Sequence, residues 1–115
     1  MFDMDFYKLY DTDDEISLIE VWNISSPESE RGWYAAAYGD DGYQIGDSTG
    51  NYHKRDTLKQ AIDLLESHPR AAILIFNANG NTQKPIYGEQ CNKAQADQHI
   101  TNRLEYLNTG VNLQK

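Results

Sequence analysis

The stretch Trp33–Asp47, WYAAAYGDDGYQIGD, decides how the rest of the chain is read. Aspartate and glycine tolerate the positive φ angles of a tight primed turn, so Asp41-Gly42 between two runs of strand formers predicts a hairpin. Its strands are Trp33–Tyr38 and Tyr43–Asp47. Side chains alternate across a strand, which sets Trp33, Ala35 and Ala37 on one face and Tyr34, Ala36 and Tyr38 on the other. Small residues on a strand leave room for a helix to lie close across it. The alanines are therefore explained by packing, and the tyrosines are left for the far face.

Working outward from the hairpin, Phe2–Tyr10 reads as a first strand, with Phe2, Met4 and Phe6 alternating with Asp3 and Asp5. The acidic DTDDE turns the chain into a second strand, Ile16–Ile24. Ile16, Leu18, Trp22 and Ile24 share one of its faces and Ile19 and Val21 the other, which leaves Glu20 inward or at an edge. SSPESER, Ser25–Arg31, is a surface loop. Downstream, HKRDTLKQAIDLLESHP carries the chain's best helix signal. Thr57 and Gln60 have capping-box spacing, with Asp56 an alternative cap, and Leu58, Ala61, Ile62 and Leu65 define a buried stripe that Pro69 ends.

RAAILIF is apolar at every position after the arginine, as expected of a central strand covered on both sides. KPIYGE is a short edge partner marked by Pro85. A last helix runs from near Asn92 to about Leu107, with Ile100, Leu104, Leu107 and Val111 inward. The order is β-β-β-β-α-β-β-α. The fold class is α+β: one domain over residues 1–115, a mostly antiparallel sheet with two helices packed on one face.

The chain has 115 residues, 39% of them hydrophobic and 24% charged, with a net charge of −8. That composition suits an ordered protein with one core. Residues 1–66 hold fifteen acids and five bases, a balance of −10, and residues 67–115 hold three acids and five bases, a balance of +2. A field of this sign repels phosphate backbones and attracts basic partners, so direct nucleic-acid binding is not expected. No apolar run is long enough to span a bilayer, and the acidic N-terminus has none of the basic residues of a secretory leader. With the single cysteine, Cys91, these features lead to a cytoplasmic expectation without membrane contact.

Motifs with a required chemistry mostly fail. Counting an EF-hand loop from Asp11 puts Ile16 and Trp22 where glycine and glutamate belong, and counting from Asp47 puts Tyr52 and Leu58 there. Among the zinc candidates His53, His68, His99 and Cys91, none form a short motif, and Cys91 and His99 would lie about 80° apart around a helix. Gly46-Asp-Ser48-Thr-Gly50 matches the spacing of a nucleophile elbow but follows a hairpin strand, whereas the elbow follows a buried parallel strand. Cys91 precedes a helix, where a thiolate is favoured, yet no partner base is in view. His53–Arg55 is a short basic patch at a helix start, and no phosphate-binding loop is present. No metal, no cofactor and no named reaction follow.

What remains is a surface of acids interleaved with tyrosines. Tyr34, Tyr38, Asp40, Asp41, Tyr43 and Asp47 are the expected partner-binding residues, because tyrosine gives large contact area at low entropy cost and the acids suit an arginine-rich partner. The expected function is a non-enzymatic acidic interaction protein, an inhibitor of a basic partner protein of the nucleic-acid-mimic or immunity type. The alternative is a small-ligand or regulatory sensor domain, homodimeric through the edge strand near Pro85. A pocket lined by Trp22 and Trp33 would favour that alternative, and a flat acidic sheet face the first reading.

Overall fold

The computed structural model describes residues 15–78 and 81–109. The expected strand Phe2–Tyr10 lies outside them, as does Val111. The described elements are β1 (Leu18–Ile24), a 3-10 turn (Glu28–Glu30), β2 (Gly32–Tyr38), β3 (Gln44–Asn51), α1 (Lys54–Ser67), β4 (Ala72–Phe76), β5 (Ile86–Tyr87) and α2 (Lys93–Thr109). The five strands form one sheet in the order β3-β2-β1-β4-β5. Three of the four ladders are antiparallel; β1 and β4 are parallel, as α1 returns the chain across the sheet between β3 and β4. The α+β class with a mostly antiparallel sheet is thus as the sequence leads one to expect.

One part of that expectation is corrected: the helices lie on opposite faces of the sheet. Ile19, Val21, Ala35, Ala37, Ile73 and Ile75 pack with Ala61, Leu64 and Leu65 of α1, whereas Leu18 and Leu74 pack with Ile100 of α2, flanked by Tyr38, Phe76 and Leu104. The physical reason is legible in β4, whose side chains of both parities are apolar. A strand hydrophobic on both faces needs two covers, and the chain has one helix for each.

The alanines do what their size suggests. Ala35 and Ala37 are fully buried under α1, and Trp33 flanks that core. Thr57, expected as a cap, sits instead inside the first turns of α1, fully buried. Its Oγ1 donates to the Trp33 carbonyl at 2.8 Å and accepts from Asn51 Nδ2 at 3.3 Å, fastening the helix to both strands of the hairpin. This anchorage turns the buried stripe toward Thr57, Ala61, Leu64 and Leu65, leaving Ile62 36% exposed. At α2 the Asn92 side chain accepts from the Gln95 amide at 3.1 Å, an N-cap where the sequence predicts one.

The hairpin itself closes differently from the tight primed turn expected. The Gly39 amide donates to the Tyr43 carbonyl and the Gly42 amide to the Gly39 carbonyl, so Asp40, Asp41 and Gly42 form a three-residue loop. Among the described residues no non-glycine residue has positive φ, whereas Gly42 adopts +85°, the left-handed residue that completes such a loop. Past the turn, β3 runs to Asn51 rather than ending at Asp47. Ile45 pairs with Ala37 and Thr49 with Ala35, so Gly46, Asp47 and Ser48 bulge opposite Ala36 alone. Gly46, at φ +72°, supplies the bend, and the Gln44 side-chain amide spans it to the Gly46 carbonyl and Ser48 Oγ. The G-x-S-x-G spacing is therefore a bulged edge strand and not a nucleophile elbow.

Candidate binding groove

The face covered by α2 carries the unusual chemistry. β1 directs Leu18, Glu20 and Trp22 to it, and β2 directs Tyr34, Ala36 and Tyr38. Glu20, at the centre, is only 2% exposed. A carboxylate cannot be left there without a partner, and α2 provides one: Arg103 Nε donates to Glu20 Oε2. The same guanidinium donates from Nη2 to the Tyr38 hydroxyl at 3.1 Å, and lies 4.7 Å from the Tyr38 ring centre and 5.4 Å from that of Tyr106. Desolvation raises the pKa of Glu20, while the hydrogen bond and charge of Arg103 pull it down. Burial also raises the Tyr38 hydroxyl, helped by the charge of Glu20, so this phenol stays neutral at pH 7.

Because α2 covers only part of the face, a groove of about 360 Å³ opens between its exposed side and the hairpin turn. Leu18 and Tyr38 line the base strands, residues 39–43 form one wall, and Gln95, Gln98, His99, Asn102, Arg103 and Tyr106 form the other. Asp40 reaches across the entrance. Ser17 Oγ donates to Asp40 Oδ1, and His99 Nε2 stands 3.4 Å from the same oxygen, an ion pair when the imidazole is protonated. Asp41 Oδ1 accepts from the Tyr43 amide at 3.0 Å, which stiffens the loop and leaves the Tyr43 ring 70% exposed.

Of the six residues expected to bind a partner, Tyr38, Asp40, Asp41 and Tyr43 meet in this groove. Tyr34 and Asp47 do not line it. Tyr34 shares the sheet face but lies four residues before Tyr38, roughly 13 Å along the strand. There it stacks on Trp22 at 6.0 Å and donates its hydroxyl to the Glu30 carbonyl at 2.7 Å. Asp47 stands in the β3 bulge. Trp22 and Trp33 belong to opposite faces of the sheet and line no common pocket. The acid-rich face is not flat either, since α2 crosses it. Asp3, Asp5, Asp11, Asp13 and Asp14, with Tyr7 and Tyr10, lie outside the described residues.

Sequence reasoning missed the contribution of α2. His99, Arg103 and Tyr106 come to the groove from a helix read only for its apolar stripe. The signal that points to them is Glu20: an acid locked inward by strand alternation calls for a cation, and Arg103 stands one turn beyond the inward Ile100.

No relay for nucleophilic attack forms here. Ser17 and His99 both approach Asp40, whereas a nucleophile needs the imidazole between hydroxyl and carboxylate. Cys91 is half-buried, and burial raises its thiol pKa, with the charge of Asp97 adding to the rise against the lowering effects of the Gly88 backbone and Lys93. The thiol is therefore kept protonated instead of being activated by the helix start. Among the described residues no three His, Cys, Asp or Glu side chains converge as metal ligands, and no helix is long and apolar enough to cross a membrane. No family model, curated protein or solved structure matches the chain.

Proposed function

We propose that the protein is a non-enzymatic acidic binding protein that antagonises a basic partner protein, with the Asp40–Tyr43 turn and the groove behind it as the contact site. The observation that carries this reading is the exposure of Tyr43 beside Asp40 and Asp41 on a loop stiffened by its own hydrogen bonds. An aromatic side chain held out in this way can bury large area on a partner with little entropy left to lose. The net charge of −8 would draw a basic surface toward it from beyond contact distance. Replacing Asp40 and Asp41 by lysine tests the mechanism. Association with the basic partner slows, and the difference between variant and wild type shrinks as salt is added. An association rate insensitive to that double reversal at low salt sinks the mechanism.

The groove's volume favours a second reading, a small-ligand or sensor domain, because about 360 Å³ lies within the ~300–1,000 Å³ of pockets that take small molecules. A thermal-shift screen with neutral metabolites separates the two. Stabilisation by a neutral ligand that Tyr43→Ala abolishes supports the sensor reading and counts against the antagonist.

A further inference from the structure

We propose that the groove is a seat for one arginine side chain. The inference rests on the basic-partner reading and specifies which group of the partner is held. A guanidinium is planar and permanently charged, stacks on aromatic faces and donates in its own plane to several acceptors at once, whereas an ammonium is a compact and strongly hydrated point charge. The groove offers matching chemistry on both walls. Tyr43 on the turn is 70% exposed and Tyr106 on α2 is 40% exposed, so aromatic surface flanks the opening on two sides. The Asp40 carboxylate, whose side chain is 68% exposed, brings negative charge to the same opening. Gln98 donates its side-chain nitrogen to Asn102, an orientation that leaves the Gln98 oxygen to accept.

The chain already seats one cation of this kind. Arg103 holds its guanidinium over the Tyr38 and Tyr106 rings, with Glu20 beneath it. That pair matters to the argument in a second way. The charge of Arg103 is cancelled by the buried Glu20, so Arg103 does not make the groove positive. Apart from that pair and the imidazole of His99, the ionisable side chains along the lining are the carboxylates of Asp40 and Asp41 and the phenols. An incoming anion meets those acids, a neutral side chain gains nothing from them, and a cation with a flat face gains from both acids and rings. The volume of about 360 Å³ accommodates one long side chain and some water, not a folded element.

The test is a titration of the ¹⁵N-labelled full chain with an acetyl-Gly-Arg-Gly-amide peptide, in parallel with the same peptide carrying citrulline or lysine in place of arginine. Saturable amide shifts confined to residues 39–43 and 95–106 are expected for the arginine peptide alone. Tyr43→Ala and Asp40→Asn, both at exposed positions, should each weaken it about two- to fivefold. Equal binding of the citrulline or lysine peptide overturns the proposal, as do shifts spread over the acids Glu28, Glu30 and Asp47. Failure here is distinct from failure of the antagonist reading. A basic protein retained equally by wild type and by the Tyr43→Ala, Asp40→Asn double variant removes the arginine seat and leaves that reading standing. Saturable arginine binding without any retained basic protein does the reverse.

Discussion

Replacing Arg103 with methionine should be among the most damaging single changes available on the α2 face. Methionine keeps most of the aliphatic length and removes the charge, so the loss reports the buried pair more than the packing. The Glu20 side chain is 3% exposed and that of Arg103 24%, so the carboxylate left behind cannot turn into water while α2 stays docked. Breaking a buried ion pair from one side costs about 3–5 kcal/mol, and the part-exposed guanidinium argues for the lower end, about 3 kcal/mol. For a domain of this size that corresponds to a drop in Tm of roughly 10–20 °C. The pH dependence has a definite sign. The folded pKa of Glu20 is already raised by burial, and removing Arg103 removes the two influences that lower it. A carboxyl with a raised folded pKa contributes its stability below the unfolded value, near 4.5, and loses it as pH rises through the folded value. The deficit of Arg103→Met is therefore greatest near pH 7 and narrows on acidification toward pH 4.5. Urea denaturation of wild type, Arg103→Met and the double variant Glu20→Leu, Arg103→Met measures this directly. The double variant should recover much of the loss, since a buried pair exchanged for apolar residues is often neutral. A deficit under about 0.5 kcal/mol at pH 7, or one equal at both pH values, refutes the reasoning.

Three further outcomes follow from the packing. Thr57→Val keeps the shape of the fully buried side chain but leaves the part-buried Trp33 carbonyl without its 2.8 Å donor, and should cost about 1–2 kcal/mol in urea denaturation. Gly88→Ala should destabilise by about 1–3 kcal/mol or more, read as a lowered Tm, because a Cβ there would stand 2.2 Å from the Pro69 carbonyl oxygen, backbone that no rotamer change can move. His68, at the C-cap of α1, has its pKa lowered by burial against the opposing charge of Glu15, so it folds preferentially uncharged. Its contribution is intact above pH 6.5 and declines as pH falls from there toward the folded value, and His68→Gln should flatten the stability curve in that window.

Local signals carried much of the fold. The 33–38 alternation, the continuous apolar run of β4, the Asn92 cap and the edge position of the strand after Pro85 each depend on neighbours within a few residues, and each is found where the sequence places it. Readings that depend on distant partners fared less well. Thr57 resembles a cap because its spacing to Gln60 is right, and only the carbonyl of Trp33, twenty-four positions away, explains its burial. The Asp-Gly pair announces a turn but not its length, since one left-handed glycine completes a three-residue loop as readily as a two-residue one. Tyr34 and Tyr38 look equivalent four positions apart on one strand face, yet α2 crosses only the Tyr38 end. Four of the six expected site residues converge because they are contiguous with the hairpin turn, whereas the opposite wall comes from a helix more than fifty residues later.

That separation gives the groove its physical character. One wall is a hairpin held by backbone ladders and by the main core under α1. The other is α2, whose buried apolar contacts among the described residues are few, chiefly Ala96 and Ile100 with Leu104 at the margin. Burial of side chains this few supplies only a few kcal/mol, so the cost of leaving Glu20 buried without Arg103 is comparable with all that holds α2 against the sheet. The groove exists only while α2 is docked. Glu20 and Arg103 therefore set both the local stability of the helix and the population of the binding-competent surface. A variant that weakens the pair without unfolding the domain should lose affinity in proportion to the fraction of molecules with α2 undocked, although neither residue need touch the partner.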